Sequence, residues 1–326
     1  MKVLVTGAAG FLGDRLACEL LARGEFDGQL IETLVLTDRQ PVTDPLLTQD
    51  DRVRIYQADL FESLGELFES AYDAVFHMAS AVSGECEQDF SLGMRANLAT
   101  TEALLEKLRT QQAETGVTAR LFFASSVAVF GGEPAVPMPA VITDNTLPVP
   151  QSSYGIQKFV CEQLIADYTR KGYIDGRLAR LMTVSVRPGR PNGAASSFLS
   201  GIIREPLAGE STVCPVPLET RVALASPRNT IAGILTVAQA TREQLGGRTA
   251  INLPALSLTV QDMLQALQDI AGEQTRALVQ LESDAQIRQV VGSWPGAFES
   301  ERAKSLGLSA DASFHDIIHQ YIDSLA

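Results

Sequence analysis

The sequence is poor in paired cysteines and in long apolar runs, and both shortages narrow its possible functions. Its four cysteines, Cys18, Cys86, Cys161 and Cys214, are widely scattered and form no CxxC pair. This spacing predicts buried thiols in a reducing compartment rather than a disulfide framework or a metal site. No apolar run approaches the roughly 18 residues needed to cross a bilayer. The chain begins directly with a strand pattern, so we expect a cytoplasmic protein without a signal peptide.

Basic residues are also scarce: the chain has 26 lysines and arginines and 39 aspartates and glutamates, which gives a net charge of −13. Nucleic-acid binding requires a basic surface, so this balance argues against a nucleic-acid partner. A small anionic substrate is still possible, since one local cation or a helix N-terminus can hold it.

Short apolar strands alternate with amphipathic helices through the first half of the chain. This alternation is typical of βαβ crossovers in a parallel sheet. A proline-rich loop is expected at 132–151, and beyond the strand predicted at 181–189 the strands are shorter and the loops more numerous. We predict strands at 2–7, 33–38, 53–60, 74–80, 120–131 and 181–189, and helices near 10–23, 62–69, 89–110, 152–171, 196–204, 228–243, 259–271 and 313–324.

A glycine-rich turn follows the first predicted strand, in "VLVTGAAGFLGDRLACELL". Gly7 permits a tight turn, Gly10 allows close approach of a phosphate, and Gly13 lets the helix pack on the strand. The helix N-terminus adds free N–H groups and the positive end of a dipole. This strand–turn–helix context predicts a dinucleotide site. The expected fold is therefore α/β, a Rossmann-type doubly wound parallel sheet with a smaller C-terminal α/β substrate region. Residues 1–180 would form the NAD-binding domain with the catalytic residues, and 181–326 mainly the substrate region, partly interleaved with the sheet.

Acidic residues after the second and third strands indicate which dinucleotide binds. Asp38 ends the second strand, where a carboxylate accepts hydrogen bonds from ribose hydroxyls and repels a 2′-phosphate. This position favours NAD over NADP, although the adjacent Arg39 could attract a phosphate. Asp59 and Leu60 lie where an adenine ring would sit, and a turn or helix-cap role for Asp59 is the alternative.

Tyr154 and Lys158 are four residues apart and so share one face of a predicted helix, with Ser152 or Ser153 as its N-cap. A lysine ammonium near a phenol is expected to lower the pKa of the tyrosine and make it a candidate general base. Ser126, at the end of the fifth strand, could hold a substrate oxygen. Asn97 is a candidate for holding a water in a proton relay.

These motifs together resemble the extended short-chain dehydrogenase/reductase family, which includes sugar-nucleotide epimerases and dehydratases. The resemblance rests on the glycine turn, "HMAS" (77–80), "SSVAVFG", "YGIQK", "VRPG", "NLP" (252–254) and "SERAKSLGL" (300–308). It implies Ser126, Tyr154 and Lys158 as a catalytic triad and Asn97 as an auxiliary residue. It also implies a homodimer that pairs helices 89–110 and 152–171. The implied cofactor contacts are Gly7, Gly10, Phe11, Leu12, Gly13, Asp38, Asp59, Leu60, Ala79, Ser80, Asn97, Tyr154, Lys158 and Pro188.

The substrate depends on "RPGRP" (187–191), where Arg190 stands in place of the asparagine that touches substrate in sugar-nucleotide enzymes. A guanidinium can grip a carboxylate with two parallel hydrogen bonds, so Arg190 favours a small acid. The alternative is a surface arginine that faces the loop. Arg187 is interpreted as a structural, buried and paired arginine.

Longer stretches, among them "VSGECEQDFSLGMRANL" and "VSVRPGRPNGAASSFLSGIIREPLAG", are similar to the branch of this family that oxidises four-carbon sugar acids such as D-erythronate. The resemblance implies NAD-dependent oxidation of the C2 hydroxyl to a 2-keto acid. Ser126 and Tyr154 would hold the C2 oxygen. The carboxylate and the distal hydroxyls would be held by Arg190, Ser83, Asn192, Ser196 and Arg228. "NGAASSF" could equally be a helix start with serine caps.

The sequence leaves two alternatives, a sugar-nucleotide epimerase or dehydratase and a non-catalytic NAD sensor. A sugar-nucleotide 4-epimerase would keep NAD bound and would need a diphosphate site, for which residues 190–230 offer no obvious cation cluster beyond four arginines. A dehydratase usually has an Asp–Glu pair after the serine, where Val127 and Ala128 stand here. A non-catalytic NAD sensor is least expected, because such proteins characteristically lose the tyrosine or the lysine.

Overall fold

Strands and helices alternate along the chain in the computed structural model, which describes residues 1–189 and 194–325. In these residues the strands are, in chain order, β1 (Lys2–Thr6), β2 (Glu25–Phe26), β3 (Gln29–Leu30), β4 (Thr33–Asp38), β5 (Val53–Gln57), β6 (Ala74–His77), β7 (Arg120–Ser126), β8 (Ile142–Thr143), β9 (Asp175–Leu181), β10 (Thr183–Val184), β11 (Thr212–Cys214), β12 (Arg221–Ala225), β13 (Ile251–Asn252), β14 (Leu256–Thr259), β15 (Val279–Leu281) and β16 (Phe298–Glu299). The α-helices are α1 (Phe11–Arg23), α2 (Pro45–Thr48), α3 (Leu60–Leu67), α4 (Ser83–Gln88), α5 (Phe90–Gly93), α6 (Thr100–Thr115), α7 (Ser153–Arg170), α8 (Phe198–Leu207), α9 (Pro227–Gln239), α10 (Arg242–Leu245), α11 (Val260–Ala271), α12 (Glu273–Arg276), α13 (Ala285–Gly292), α14 (Glu301–Ser305) and α15 (Phe314–Asp323). A π-helical turn (Met94–Ala99) joins α5 to α6, and a 3-10 turn (Val127–Val129) follows β7.

A seven-stranded sheet with the order β13-β9-β7-β6-β1-β4-β5 forms the centre of the molecule. All of its strand pairs are parallel. The strand order runs outward from β1 in both directions, so the chain changes direction between β1 and β6. Ligands of open parallel sheets bind at the carboxyl ends of the strands at such a switch point. The predicted α/β class with a Rossmann-type doubly wound sheet is confirmed.

Helices cover both faces of the sheet, as continuous apolar strands require. Val3 and Val5 of β1 belong to one apolar cluster, which also contains residues of α1 and α9. Leu4, between them, belongs to the opposite cluster, with residues of α3, α6 and α7. This alternation follows from the two-residue period of a strand. Helix α7, which carries Tyr154 and Lys158, is therefore fixed to the sheet by a buried face.

A separate apolar cluster lies in the C-terminal part of the chain and is built from α8, α11 and α15 and from the small sheet β10-β12-β14. The chain also returns to the central sheet, because β13 pairs with the edge strand β9. The division at residues 180 and 181 stays a prediction. Among the described residues, none of the helices combines the length and the apolarity needed to cross a membrane.

The predicted strand at 181–189 is largely wrong. The sheet strand is β9, which begins at Asp175, and the chain leaves the central sheet after Leu181. Charged residues hide this strand in the sequence, since Arg177 and Arg180 are buried within it. They are tolerated because each forms an ion pair, Arg177 with Asp175 and Arg180 with a glutamate of α7.

The helix predicted at 152–171 is confirmed as α7. Ser152 is its N-cap, with the hydroxyl accepting a hydrogen bond of 3.1 Å from the Gly155 amide. The helix predicted at 89–110 differs in one respect, because the π-helical turn at Met94–Ala99 interrupts it and α6 then continues to Thr115.

Candidate active site

The glycine turn between β1 and α1 is held by backbone contacts that exclude side chains. Gly7 has a φ of +70°, and a Cβ at this position would lie 2.6 Å from the amide nitrogen of Ala79. A Cβ on Gly13 would lie 2.0 Å from the carbonyl oxygen of Gly7. Helix α1 therefore begins directly against the turn, with the unsatisfied N–H groups of its first residues at the carboxyl end of the sheet. This cradle fits the pyrophosphate of a dinucleotide.

One cavity beside this turn, here called the aspartate cavity, has a volume of about 380 Å³. Seven of the predicted cofactor residues line it, namely Gly7, Gly10, Asp38, Asp59, Leu60, Ala79 and Ser80. Arg39 lines it as well, so both the carboxylate that favours NAD and the competing cation face the same space.

Asp38 and Asp59 each hold a loop at the edge of the aspartate cavity. Asp38 accepts hydrogen bonds from the amides of Ala9, at 3.1 Å, and Gln40, at 2.9 Å. Asp59 caps α3 by accepting from the Phe61 amide at 3.0 Å. The cap interpretation of Asp59 is thus correct, and the same residue also lines the cavity.

A second cavity, the tyrosine cavity, has a volume of about 320 Å³ and shares Gly7, Gly10 and Ser80 with the first. It brings together Ser126, Tyr154 and Lys158. Other predicted residues also line it, namely Phe11, Leu12, Gly13, Ser83 and Ser196. The two cavities together therefore connect the glycine turn to the predicted triad.

Lys158 is fixed by the end of β7. Its side chain is buried, and its Nζ donates a hydrogen bond of 2.9 Å to the Ala124 carbonyl oxygen. The same nitrogen lies 4.7 Å from the centre of the Phe123 ring and 5.6 Å from that of Tyr154. Burial lowers the pKa of Lys158 to about 8, so at neutral pH the ammonium is charged beside the phenol.

Tyr154 differs from the expectation of a lowered pKa. Burial raises the pKa of its phenol to about 12, and the hydroxyls of Ser126 and Ser80 only partly oppose this rise. Desolvation disfavours the phenolate more strongly than the surrounding dipoles favour it. Tyr154 is therefore a neutral phenol at neutral pH in the protein alone.

Asn97 lies in the π-helical turn between α5 and α6. Its buried Oδ1 accepts from the Ala81 amide at 2.8 Å and from the Ser80 hydroxyl at 2.9 Å. Its Nδ2 donates to Gln157 Oε1 at 2.8 Å. Asn97 thereby ties the loop at 80–81 to α7. A π-helical turn is often found at functional sites, and the expected role of Asn97 toward cofactor or water stays a prediction.

A buried ionic network supports the triad from behind. Glu162, one turn beyond Lys158 on α7, accepts two hydrogen bonds from Arg180, at 2.9 and 2.7 Å. It also accepts a hydrogen bond of 2.5 Å from the hydroxyl of Ser125, the residue before Ser126. The Glu162–Arg180 pair, together with the Ser125 hydroxyl, therefore joins α7, β7 and β9 beside the predicted triad.

The structure places other predicted residues elsewhere. Pro188 and Arg228 line a third cavity, together with Arg15 and Arg23 of α1. Phe11 is common to this cavity and the tyrosine cavity. Arg190 and Asn192 lie outside the described residues.

Among the lining residues of the tyrosine cavity that the sequence did not assign to the site are Arg187 and Trp294. Arg187 is half-buried, and burial together with the nearby Arg204 lowers its pKa. Its place directly before Pro188 in "VRPG" was a usable signal. Trp294 comes from the loop after α13, and no motif in the sequence marks it.

Potential metal ligands cluster at Asp14, Cys18 and Asp44, away from the tyrosine cavity. Burial and the two carboxylates raise the pKa of the Cys18 thiol to about 12. The thiol therefore stays protonated and donates to Asp44 at 3.6 Å.

The chain is similar to known proteins along its whole length. Residues 3–253 match the NAD dependent epimerase/dehydratase family. D-erythronate dehydrogenase from Cupriavidus necator is 47% identical over 99% of this chain and 98% of its own. The Haemophilus influenzae protein of the same name is 42% identical over 99% of both chains. A solved structure described as a nucleoside-diphosphate-sugar epimerase from Agrobacterium tumefaciens is 39% identical, with a TM-score of 0.90 over 99% of this chain and 94% of that one. With the glycine cradle and both cavities in place, this chain belongs to the NAD-dependent epimerase/dehydratase family, and NAD is its cofactor.

Proposed function

We propose that this chain is an NAD-dependent oxidoreductase that converts the C2 hydroxyl of D-erythronate to the ketone, giving 2-dehydro-D-erythronate. The observation that carries the proposal is the tyrosine cavity, which joins Ser126, Tyr154 and Lys158 to the glycine cradle. Two full-length relatives above 40% identity that carry this activity in their names support the choice of substrate.

Each member of the triad has a proposed role in this reaction. Ser126 and Tyr154 would hold the C2 oxygen, and Tyr154 would accept its proton as the carbonyl forms. When bound, NAD would supply the oxidising power as the acceptor of the C2 hydride, and its positive charge would favour the phenolate of Tyr154. Lys158 would stabilise the phenolate from its fixed place under the ring, since a nearby cation favours the charged form of a phenol.

Cations are proposed to hold the carboxylate of the substrate. Arg187 already lines the tyrosine cavity, and Arg190 follows it by three residues. Replacing Arg190 by alanine should raise the KM for D-erythronate roughly tenfold or more, as expected for loss of a hydrogen bond to a charged group. The KM for NAD should change less than about twofold. An unchanged KM for the acid would remove Arg190 from the site.

A panel assay tests the proposed substrate. Four- to six-carbon sugar acids and UDP-sugars are supplied with NAD, and NADH is followed by its absorbance. We expect NADH to accumulate beyond the amount of enzyme with D-erythronate and not with UDP-sugars. Interconversion of UDP-sugars without net NADH, and no oxidation of acids, would overturn the proposal.

The second candidate is a sugar-nucleotide 4-epimerase that retains its NAD. The description of the Agrobacterium structure favours it, because that protein is 39% identical and is named as an epimerase. The relatives with higher identity favour the dehydrogenase. The panel assay separates the two, since an epimerase regenerates NAD in each turnover.

We also propose a cytoplasmic homodimer. Phe90 on α5 and Ile156 and Val160 on α7 are exposed apolar residues, and the last two share a helix face because they are four apart. Pairing of these helices would cover them. Replacing Ile156 by aspartate should halve the mass measured by light scattering, whereas an unchanged mass would exclude this interface. Cell fractionation tests the location.

A further inference from the structure

His77 opens the "HMAS" segment at the end of β6, and it belongs neither to the predicted triad nor to the walls of the two cavities. Its ring is buried. It lies beside Thr6 of β1, its register partner in the sheet, and contacts Thr101 in the first turn of α6. The imidazole is therefore placed between the strand that leads into the glycine turn and the helix that follows the π-helical turn.

The hydrogen bonds around His77 run in one direction only. The Thr101 hydroxyl lies 2.6 Å from the Asn97 carbonyl oxygen, and it must donate there because a carbonyl only accepts. Its single proton is then used, so it accepts from His77 Nε2, at 3.0 Å, and Nε2 is protonated. Burial and the nearby charge of Lys158 lower the pKa of His77 to about 3. The ring is therefore neutral, and its Nδ1 is an acceptor.

On the other side of the ring, the Thr6 hydroxyl donates to Nδ1 at 2.8 Å. The same oxygen of Thr6 accepts a hydrogen bond of 3.2 Å from the Ala79 amide. A continuous chain of hydrogen bonds results, which runs from the Ala79 amide through Thr6, His77 and Thr101 to the carbonyl of Asn97. The three side chains of this chain are buried. A fully satisfied buried network makes the structure around it rigid.

The two ends of this chain hold two segments that line the aspartate cavity. Ala79 belongs to the loop 78–81, which lines the cavity together with Gly7. Asn97 belongs to the π-helical turn, whose Arg95 and Ala96 line the same cavity. The chain therefore holds part of the cofactor site in place before NAD binds. A site that is ordered in advance binds its ligand at a lower entropic cost.

We propose that His77 is a positioning residue for the cofactor, because its neutral ring with the proton on Nε2 fixes the loop 78–81 and the π-helical turn in the arrangement that receives NAD. It acts through Thr6 and Thr101 and through the segments that these residues hold. The inference depends on NAD as the cofactor and not on the identity of the substrate.

Calorimetric titration of NAD into three variants of the whole protein tests this role. His77→Phe keeps a flat ring and removes both hydrogen bonds, and Thr101→Val removes one link at nearly the same volume. Each should raise the dissociation constant for NAD roughly tenfold, the usual worth of a buried hydrogen bond. Thr101→Ser restores the hydroxyl and should bind NAD as wild type does.

Gln111→Leu is the matched control at the other end of the same helix and strand. Gln111 lies in the last turns of α6 and forms two hydrogen bonds of 2.9 Å with the backbone of Tyr72, just before β6. Its replacement should lower the free energy of unfolding in urea and leave the dissociation constant for NAD unchanged. If His77→Phe and Thr101→Val also lose stability while NAD binding is unchanged, the chain only supports the fold, and the proposal is overturned.

The double variant distinguishes one continuous chain from two independent contacts. If His77 and Thr101 act through the same chain, the double variant should bind NAD about as weakly as either single variant. Effects that multiply would show that the two residues act separately, and would overturn the proposal. If His77→Phe does not fold, Thr101→Val and Thr101→Ser decide alone, since equal dissociation constants for NAD in these two would overturn it as well.

A ¹⁵N spectrum of the imidazole rings observes the tautomer directly. The chain has three histidines, and the other two, His315 and His319, are exposed. With both of these replaced by glutamine, the remaining ring should have a protonated Nε2 that exchanges slowly with solvent and an unprotonated Nδ1. A proton on Nδ1, or on both nitrogens, would break the direction of the chain and overturn the proposal.

Discussion

Replacement of Lys158 by methionine separates the stability of this fold from its activity. The ammonium is buried, and its pKa is about 8 instead of the ordinary 10.5. Methionine has a similar shape and no charge. The variant should retain the fold and lose most of its oxidation rate, because no cation then remains under the ring of Tyr154.

The size and sign of the stability effect follow from linkage. At about 1.4 kcal/mol per pH unit, the lowered pKa of Lys158 corresponds to a penalty of about 3 kcal/mol for the charged form in the folded state. This penalty is fully present below pH 8, where the folded and unfolded states are both charged. Between about pH 8 and 10.5 the unfolded state binds more protons, so the unfolding free energy of wild type rises relative to the variant.

At neutral pH the variant gains stability because it no longer buries a charge. It also loses the hydrogen bond to Ala124, which is worth about 1–2 kcal/mol and offsets part of that gain. The variant should therefore be as stable as wild type or more stable by up to about 2 kcal/mol, and should become the less stable protein near pH 10.5. The groups that share this environment, Cys86, Cys161 and Glu162, are present in both proteins.

Urea unfolding of both proteins from pH 7 to about 10.5 measures this difference. We expect the two curves of unfolding free energy against pH to converge and cross. Curves that run parallel over the whole range would refute the reasoning, since they would mean that Lys158 titrates equally in the folded and unfolded states.

Three further changes test the cradle, the choice of cofactor and the ionic support. Gly13→Ala should destabilise the fold by about 3 kcal/mol or more in thermal unfolding, because its Cβ meets a backbone oxygen at 2.0 Å. Gly65→Ala, the control in the exposed part of α3 with open space around it, should gain about 0.5–1 kcal/mol. Asp38→Ser should lower kcat/KM for NAD roughly tenfold, because a carboxylate that accepts hydrogen bonds from the ribose is lost. It should raise kcat/KM for NADP, because the same carboxylate repels the 2′-phosphate. Arg180→Leu should lower the free energy of unfolding in urea by about 3–5 kcal/mol, because Glu162 then remains buried without its partner. The double variant, in which Glu162 is also replaced by leucine, should recover part of this loss.

The same stability and kinetic measurements would contradict these expectations in the following cases. Equal stability of the Gly13 and Gly65 variants would mean that the turn adjusts to a side chain. An unchanged preference for NAD over NADP in Asp38→Ser would place the selection elsewhere, for example at Arg39. A double leucine variant no more stable than Arg180→Leu would show that packing, and not an unpaired charge, is lost.

The sheet could be predicted largely from the sequence because its strands are apolar runs between glycine and proline signals. Leu4 and Val5 are buried on opposite faces, as an uninterrupted apolar strand predicts. Strand β9 could not be predicted in this way, because Arg177 and Arg180 resemble surface residues until their acidic partners are known. Asp175 lies in the same strand as Arg177, but Glu162 comes from α7, so the pairing of Arg180 is a property of tertiary structure.

The site was predictable where it depends on local motifs. The glycine turn, Asp38, and the spacing of Tyr154 and Lys158 are local, and the structure brings all of them to two adjoining cavities. Trp294 was not predictable, since a loop with no motif carries it into the cavity. The pKa of Tyr154 was also not predictable, because burial depends on the whole fold. Burial raises this pKa more than the hydroxyls of Ser126 and Ser80 lower it.

The central claim is that Tyr154, beside a fixed Lys158, takes the proton when a sugar acid is oxidised by NAD. Its most direct test is kcat of Tyr154→Phe with saturating D-erythronate and NAD, alongside the dissociation constant for NAD. We predict a fall in kcat of about 10²–10⁴-fold, the usual contribution of a general base, with NAD binding unchanged. NADH formation by the variant at the wild-type rate would contradict the claim.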